Sequence, residues 1–250
     1  SYALFMALKN LHGGKCWREW EKPFYSRSKK ALEKFEKENE EELGFWKFLQ
    51  YEFNRQWQNL KNYANERGIK IIGDLPIYVA DDSSDVWASP ELFDFDKERR
   101  PRNVAGVPPD YFSENGQLWG NPIYNWKKQK KDGYSWWIKR LSSCKEKYDV
   151  LRIDHFRAFA DYYCIPFGSE TAKTGEWKIG PGMDLFSKVF EELKGYPIIA
   201  EDLGDLSPAV FKLLEESGLP GMKILEFAFG SDDPNNGCLP YNFSKNCVCY

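Results

Sequence analysis

Carboxylates recur at matching places along this chain, and their placement is the first pointer to chemistry. Four short apolar runs, at 69–73, 150–153, 197–200 and 222–225, are rich in branched aliphatics. Three of them stop on acids: Asp74, Asp154 and the adjacent pair Glu201 and Asp202; the fourth reaches Glu226. One acid after a strand is as readily a helix cap or a loop ion pair. Three in consecutive units point instead to a shared rim at the carboxyl ends of parallel strands, where barrel enzymes place their reacting groups. Cleavage of a glycosidic bond passes through an oxocarbenium-like transition state and needs one carboxylate ionised and a second protonated. Strand alternation puts Arg152 and Asp154 on one face, where the guanidinium offers a counter-charge, so Asp154 suits a nucleophile. Glu201 ends a wholly apolar approach, Ile198-Ile199-Ala200. Desolvation there, with repulsion from Asp154 and Asp202, predicts a raised pKa and suits an acid/base. A retaining mechanism requires such carboxyl groups about 5 to 5.5 Å apart.

Other chemistries fit less well. The chain has only two histidines, His12 and His155, which argues against Ser-His-Asp or Cys-His catalysis. His155, next to Asp154, reads as a hydrogen-bond donor to a sugar. The six cysteines form no Cys-x-x-Cys pair, so no zinc site is expected and they read as reduced thiols of a cytoplasmic protein. No Gly-rich phosphate loop follows a strand, which disfavours a phosphate-handling barrel. With 35 basic against 38 acidic residues, no cationic face is expected and nucleic acid is not an expected partner. No apolar run approaches the ~20 residues of a membrane span.

The elements that must position these groups follow from periodicity. The strand-like runs, spaced for intervening helices, predict βα units of a parallel sheet, and 250 residues suit one barrel of about that size. Ser207, Pro208 and Gly218 are placed to cap, start and end one helix. The first quarter reads as helical. A charged helix is expected over 29–42. An amphipathic one over 44–68 has Phe45, Phe48, Leu49, Phe53, Trp57, Leu60 and Tyr63 on its apolar face and Gly68 at its stop. Residues 103–126 carry little helical or strand pattern and read as a long functional loop. Its aromatics, Tyr111, Phe112 and Trp119, offer flat faces to glucose rings, while Asp110, Gln117 and Asn121 can bond hydroxyls. The bland alternative is that these side chains pin the loop to the barrel.

On these residues the sequence resembles the amylomaltase, or disproportionating-enzyme, family of 4-α-glucanotransferases over nearly its whole length. The sharpest matches are Leu-Arg-Ile-Asp-His-Phe-Arg at 151–157 and Ile-Ile-Ala-Glu-Asp-Leu-Gly at 198–204. The resemblance implies an α/β (β/α)8 barrel, incomplete here, with residues 1–68 as a helical subdomain and lead-in helix and 69–250 as barrel βα units. It implies that Asp154 is the nucleophile and Glu201 the acid/base. Asp74, Arg152 and His155 would surround the sugar at the cleavage point, with Asp202, Asn121 and the 111–119 loop also on the glucan side. It further implies malto-oligosaccharide and α-1,4-glucan partners, no metal or organic cofactor, a cytoplasmic or plant-plastid location, and an acceptor hydroxyl in place of water. The family's third catalytic carboxylate falls past the segment matched by 246–250. Tyr241 stands where the family often has His, and 231–233 is a variable acidic loop. These departures predict a piece of a larger enzyme, inactive by itself. The rival expectations are an α-glucan hydrolase using the same carboxylate pair and a non-catalytic glucan-binding module.

Overall fold

The computed structural model describes residues 1–111, 113–204, 206–230 and 232–250. In chain order the helices are α1 (Tyr2–Leu11), α2 (Lys22–Tyr25), α3 (Lys29–Glu38), α4 (Glu40–Asn65), α5 (Ser84–Ala88), α6 (Trp126–Lys131), α7 (Ser135–Lys147), α8 (Met183–Glu192) and α9 (Pro208–Ser217). The strands are β1 (Ile72–Pro76), β2 (Asn103–Val107), β3 (Gln117–Pro122), β4 (Val150–Asp154), β5 (Asp161–Pro166), β6 (Glu176–Ile179), β7 (Ile198–Ala200), β8 (Gly221–Lys223) and β9 (Cys247–Cys249). They fall into two compact units. One comprises Ser1–Tyr63, Tyr78–Asn125 and Ile165–Lys173, the other Ala64–Ile77, Trp126–Cys164 and Thr174–Tyr250.

The second unit holds the aliphatic runs. β1, β4 and β7 form a parallel sheet in that order. Register and alternation then sort its two faces. Leu151 pairs with Gly73 and Ile198, and Ile153 with Leu75 and Ala200, making one face wholly apolar. On the other face Asp74 lies beside Arg152. Leu151 and Ile153 are fully buried, which contributes about 1.5–3 kcal/mol each. α7 packs on β4, α8 on α7 and α9 on α8, burying Trp137 and Leu141, then Leu185, Phe186 and Val189, then Val210 and Leu213. The 3-10 turn Phe156–Phe159 after β4 is anchored in this layer. The rings of Phe156 and Phe159 each lie 5.2 Å from that of Phe186, an edge or tilted geometry that aromatic pairs favour.

Several expectations are corrected here. The fourth run is shorter than expected and leaves the sheet: β8 pairs in parallel with β9, and Ala200 N–H of β7 donates to the O of Pro220, the residue before β8, at 2.9 Å. Glu226 sits beyond it on a 3-10 turn, Leu225–Phe229. Asp74 is in the middle of β1 rather than past its end. α9 begins at Pro208 and stops at left-handed Gly218 as expected, but the Ser207 hydroxyl makes no capping bond.

In the first unit, Leu4, Phe5 and Leu8 of α1 pack with Trp17, Trp20, Val86 and Trp87. Arg18 ties that core to Asp81 through a two-bond ion pair. The expected charged helix breaks at Asn39, whose side-chain amide donates to Phe35 O, so α4 starts at Glu40. On α4 the expected apolar stripe is present, yet Phe45, Phe48, Leu49, Phe53, Leu60 and Tyr63 are exposed and Leu43 is its buried residue. The 103–126 stretch is not structureless. β2 and β3 form an antiparallel hairpin in which a Cβ on Gly106 would meet Gln117 O at 2.1 Å, so glycine there permits the close pairing.

Candidate active site

Three residues of adjacent strands make a charged row. Arg152 projects from the middle of β4, and its Nη1 lies 2.7 Å from both carboxylate oxygens of Asp74 on β1. Its Nη2 lies 3.1 Å from Oδ1 of Asp154, the last residue of β4. One planar guanidinium thus bridges two carboxylates, a task its fork geometry suits. Burial by itself would lower the Arg152 pKa, but its hydrogen bonds to Asp74 and the charges of Asp74, Asp154 and Glu201 outweigh that and raise it. A further contact comes from Arg152 Nε to Met222 Sδ at 3.3 Å. The Asp154 side chain stays 43% exposed, so a ligand can reach it.

Glu201 follows β7 directly. Its backbone N–H donates to Ile153 O, continuing the ladder, and its carbonyl accepts from Phe156 N–H, each at 3.0 Å. Its carboxyl oxygens accept from His155 N–H at 2.7 Å and Leu203 N–H at 3.0 Å. Desolvation raises the Glu201 pKa; those two amides and Arg152 oppose the shift, and Asp154 adds to it. The expected direction is therefore met, with Asp154 rather than Asp202 as the repelling neighbour. His155 has a left-handed backbone, φ 51°, which costs a non-glycine residue about 1–2 kcal/mol. The amides of 155 and 156, both bonded to Glu201, hold it there. Burial and the charge of Arg157, offset by Asp161, push the His155 pKa down to about 4, so the ring is neutral near pH 7. A neutral imidazole offers one N–H donor and one acceptor.

The other expected residues are placed differently. Asp202 is 7% exposed and its carboxylate accepts the N–H of Met222, the middle residue of β8, at 2.5 Å. A Cβ on Gly221 would meet that carboxylate at 2.5 Å. In the first unit, Tyr111 is 96% exposed. Trp119 Nε1 donates to Gln117 Oε1 at 3.0 Å, and its ring lies 6.3 Å from that of Tyr78. Asn121 Nδ2 donates to Val79 O at 2.9 Å, a pinning contact. Phe112 lies outside the described residues. Among the described residues no cluster of three or more His, Cys, Asp or Glu has metal-binding geometry, and no helix is long and apolar enough to cross a membrane.

Comparison with known proteins decides the lineage of this arrangement. A family model described as 4-alpha-glucanotransferase matches residues 1–250. The chain belongs to the 4-alpha-glucanotransferase family. It is 50% identical over 250 residues to the 4-alpha-glucanotransferase of Clostridium butyricum, covering all of this chain and 51% of that protein. It is likewise 50% identical over 242 residues to the one from Thermus thermophilus, covering 97% of this chain and 48% of the relative. The structure of amylomaltase from Streptococcus agalactiae in complex with acarbose superposes with a TM-score of 0.96 at 45% identity, over 100% of this chain and 50% of that one. The chain thus spans about half the length of the 4-alpha-glucanotransferases it matches.

Sequence reasoning missed three features around these carboxylates. The Met222 sulfur against Arg152 left no signal, because nothing in spacing joins residues seventy positions apart. The amides on Glu201 come from backbone, which no residue type betrays. The ion pair of Arg157 and Asp161 had a signal, the i, i+4 spacing of opposite charges.

Proposed function

We propose that this chain carries the nucleophile and the acid/base of a retaining 4-α-glucanotransferase. The observation that carries the reading is a pair of carboxyl groups in unlike environments. Asp154 is ion-paired and reachable, while Glu201 is partly buried with a raised pKa. Glu201 protonates the glycosidic oxygen as an Asp154 oxygen attacks C1, giving a glycosyl ester and releasing the leaving fragment. The Glu201 carboxylate then takes the proton of an acceptor's 4-hydroxyl, which attacks C1 and frees Asp154. Arg152 and Asp74 orient the nucleophile, and neutral His155 bonds a sugar hydroxyl. Tyr111, Trp119 and Asn121 belong to the glucan-binding side in this reading, with Asn121 and Asp202 chiefly shaping the backbone.

In the same reading, residues 1–68 are a helical subdomain with its lead-in helix. Residues 69–250 are βα units of an incomplete (β/α)8 barrel, and the third catalytic carboxylate lies in the part of the relatives that this chain does not span. The substrates are malto-oligosaccharides and α-1,4-glucans, the location cytoplasmic or, in a plant, plastidic. Product analysis on maltotriose tests this in a complete protein containing the segment. Transfer gives glucose together with longer oligosaccharides. Glucose and maltose alone would indicate a hydrolase, and binding without turnover a glucan-binding module.

A further inference from the structure

A side-chain network behind the carboxylates has no part in the chemistry just described. Arg157, on the turn after β4, donates Nη2 to Asp161 Oδ1 at 2.7 Å, and its guanidinium lies 4.2 Å from the centre of the Trp177 ring on β6. The Arg157 and Asp161 side chains are only 12% and 15% exposed. The second oxygen of Asp161 accepts the hydroxyl proton of Ser207. Ser207 sits at the N-cap of α9, where a serine hydroxyl commonly accepts from a helix N–H, yet it makes no such bond. By contrast the N-cap Ser83 of α5 does accept from Val86 N–H, at 3.3 Å. At Ser207 the local preference thus gives way to a partner 46 residues away.

Ser207 closes the loop that opens with Glu201, and Arg157 stands two residues after His155, whose amide holds Glu201 Oε2. One carboxylate therefore ties the far end of the Glu201 loop to the turn that carries His155. We propose that Asp161 is a positioning residue for the Glu201 carboxyl group, acting through Ser207 and Arg157. The inference rests on Glu201 being the acid/base. Glu201 is faced by Asp154 and Arg152 from β4 and by the amides of His155 and Leu203. Asp161→Asn keeps size but removes the charge and one acceptor. The loop and turn loosen, the two amide bonds that favour the Glu201 carboxylate lengthen, and the basic limb of the activity profile moves to higher pH.

The experiment measures kcat and KM on maltotriose across the pH profile for the complete protein, Asp161→Asn, Ser207→Ala and the double variant. Asp161→Asn is expected to lower kcat about 100-fold, with KM changed less than about twofold, because misplacement of a reacting group acts on the chemical step. Ser207→Ala should give a smaller loss and a basic-limb shift in the same direction. The double variant should be no worse than Asp161→Asn, since both changes remove one bond. Wild-type kcat and pH profile in both single variants, a loss confined to KM or melting temperature, or independent losses that multiply would each overturn the role. If Asp161→Asn does not fold, Ser207→Ala decides by the same two readouts. A complete protein that never transfers glucan contradicts the functional reading itself, whereas one that transfers normally with unaffected variants contradicts only the positioning role.

Discussion

Arg152 illustrates how chemistry here depends on the shape of a side chain as well as its charge. Its fork touches Asp74 and Asp154 at once, and a lysine at that position keeps the charge but cannot bridge both. A lost charge-assisted hydrogen bond costs about 1.5–3 kcal/mol. Arg152→Lys in the complete protein should therefore slow transfer about 10- to 150-fold, measured as kcat on maltotriose. On the proposed acid/base role, Glu201→Gln should cost about 10²–10⁴ in kcat. Glu201 also makes stability depend on pH. Its pKa is raised above the ordinary 4.5, so the folded chain holds this proton more tightly than the unfolded one. That contribution is complete below the unfolded value and is lost as pH rises through the raised folded value. Melting temperature should thus fall with pH over that window, and Glu201→Gln should flatten the dependence. An unchanged pH slope in the variant's thermal melts would contradict the assignment.

At the scale of elements, β1, β4 and β7 set the register that brings Asp74, Arg152, Asp154 and Glu201 together. Gly73 is the tightest point of that construction, since a Cβ there would lie 2.1 Å from the Tyr148 ring. Gly73→Ala should destabilise the fold by about 1–3 kcal/mol through overpacking, read by chemical denaturation. Alternation in β4 and the apolar run of β7 were legible in sequence because buried parallel strands leave a strong aliphatic signature. The helix of α4 was legible too, but a period gives an apolar face without saying whether anything covers it, and Phe48 and Phe53 are exposed. The β2–β3 hairpin was not legible. Its pairing depends on the close approach allowed by Gly106 and runs to Pro122, both poor strand formers, so no period-2 pattern appears. The Asp202 contact was not legible for a related reason: two adjacent acids look equivalent in sequence, and only the fold turns one of them to Met222 N–H.

For the molecule as a whole, the share of chain present matters most. Residues 1–250 match the family throughout but correspond to about half of the relatives, and the carboxylate pair belongs to one compact unit. These residues alone are expected to show no transfer on maltotriose, while the complete protein forms longer oligosaccharides; turnover by residues 1–250 would contradict this. The most direct test is covalent. The complete protein carrying Glu201→Gln is treated with an activated maltosyl fluoride, digested and examined by mass spectrometry. The expected result is a glycosyl adduct on the peptide containing Asp154 and on that residue. An adduct on another carboxylate, or release of product with inverted anomeric configuration and no adduct, would contradict Asp154 as the nucleophile of a retaining transferase.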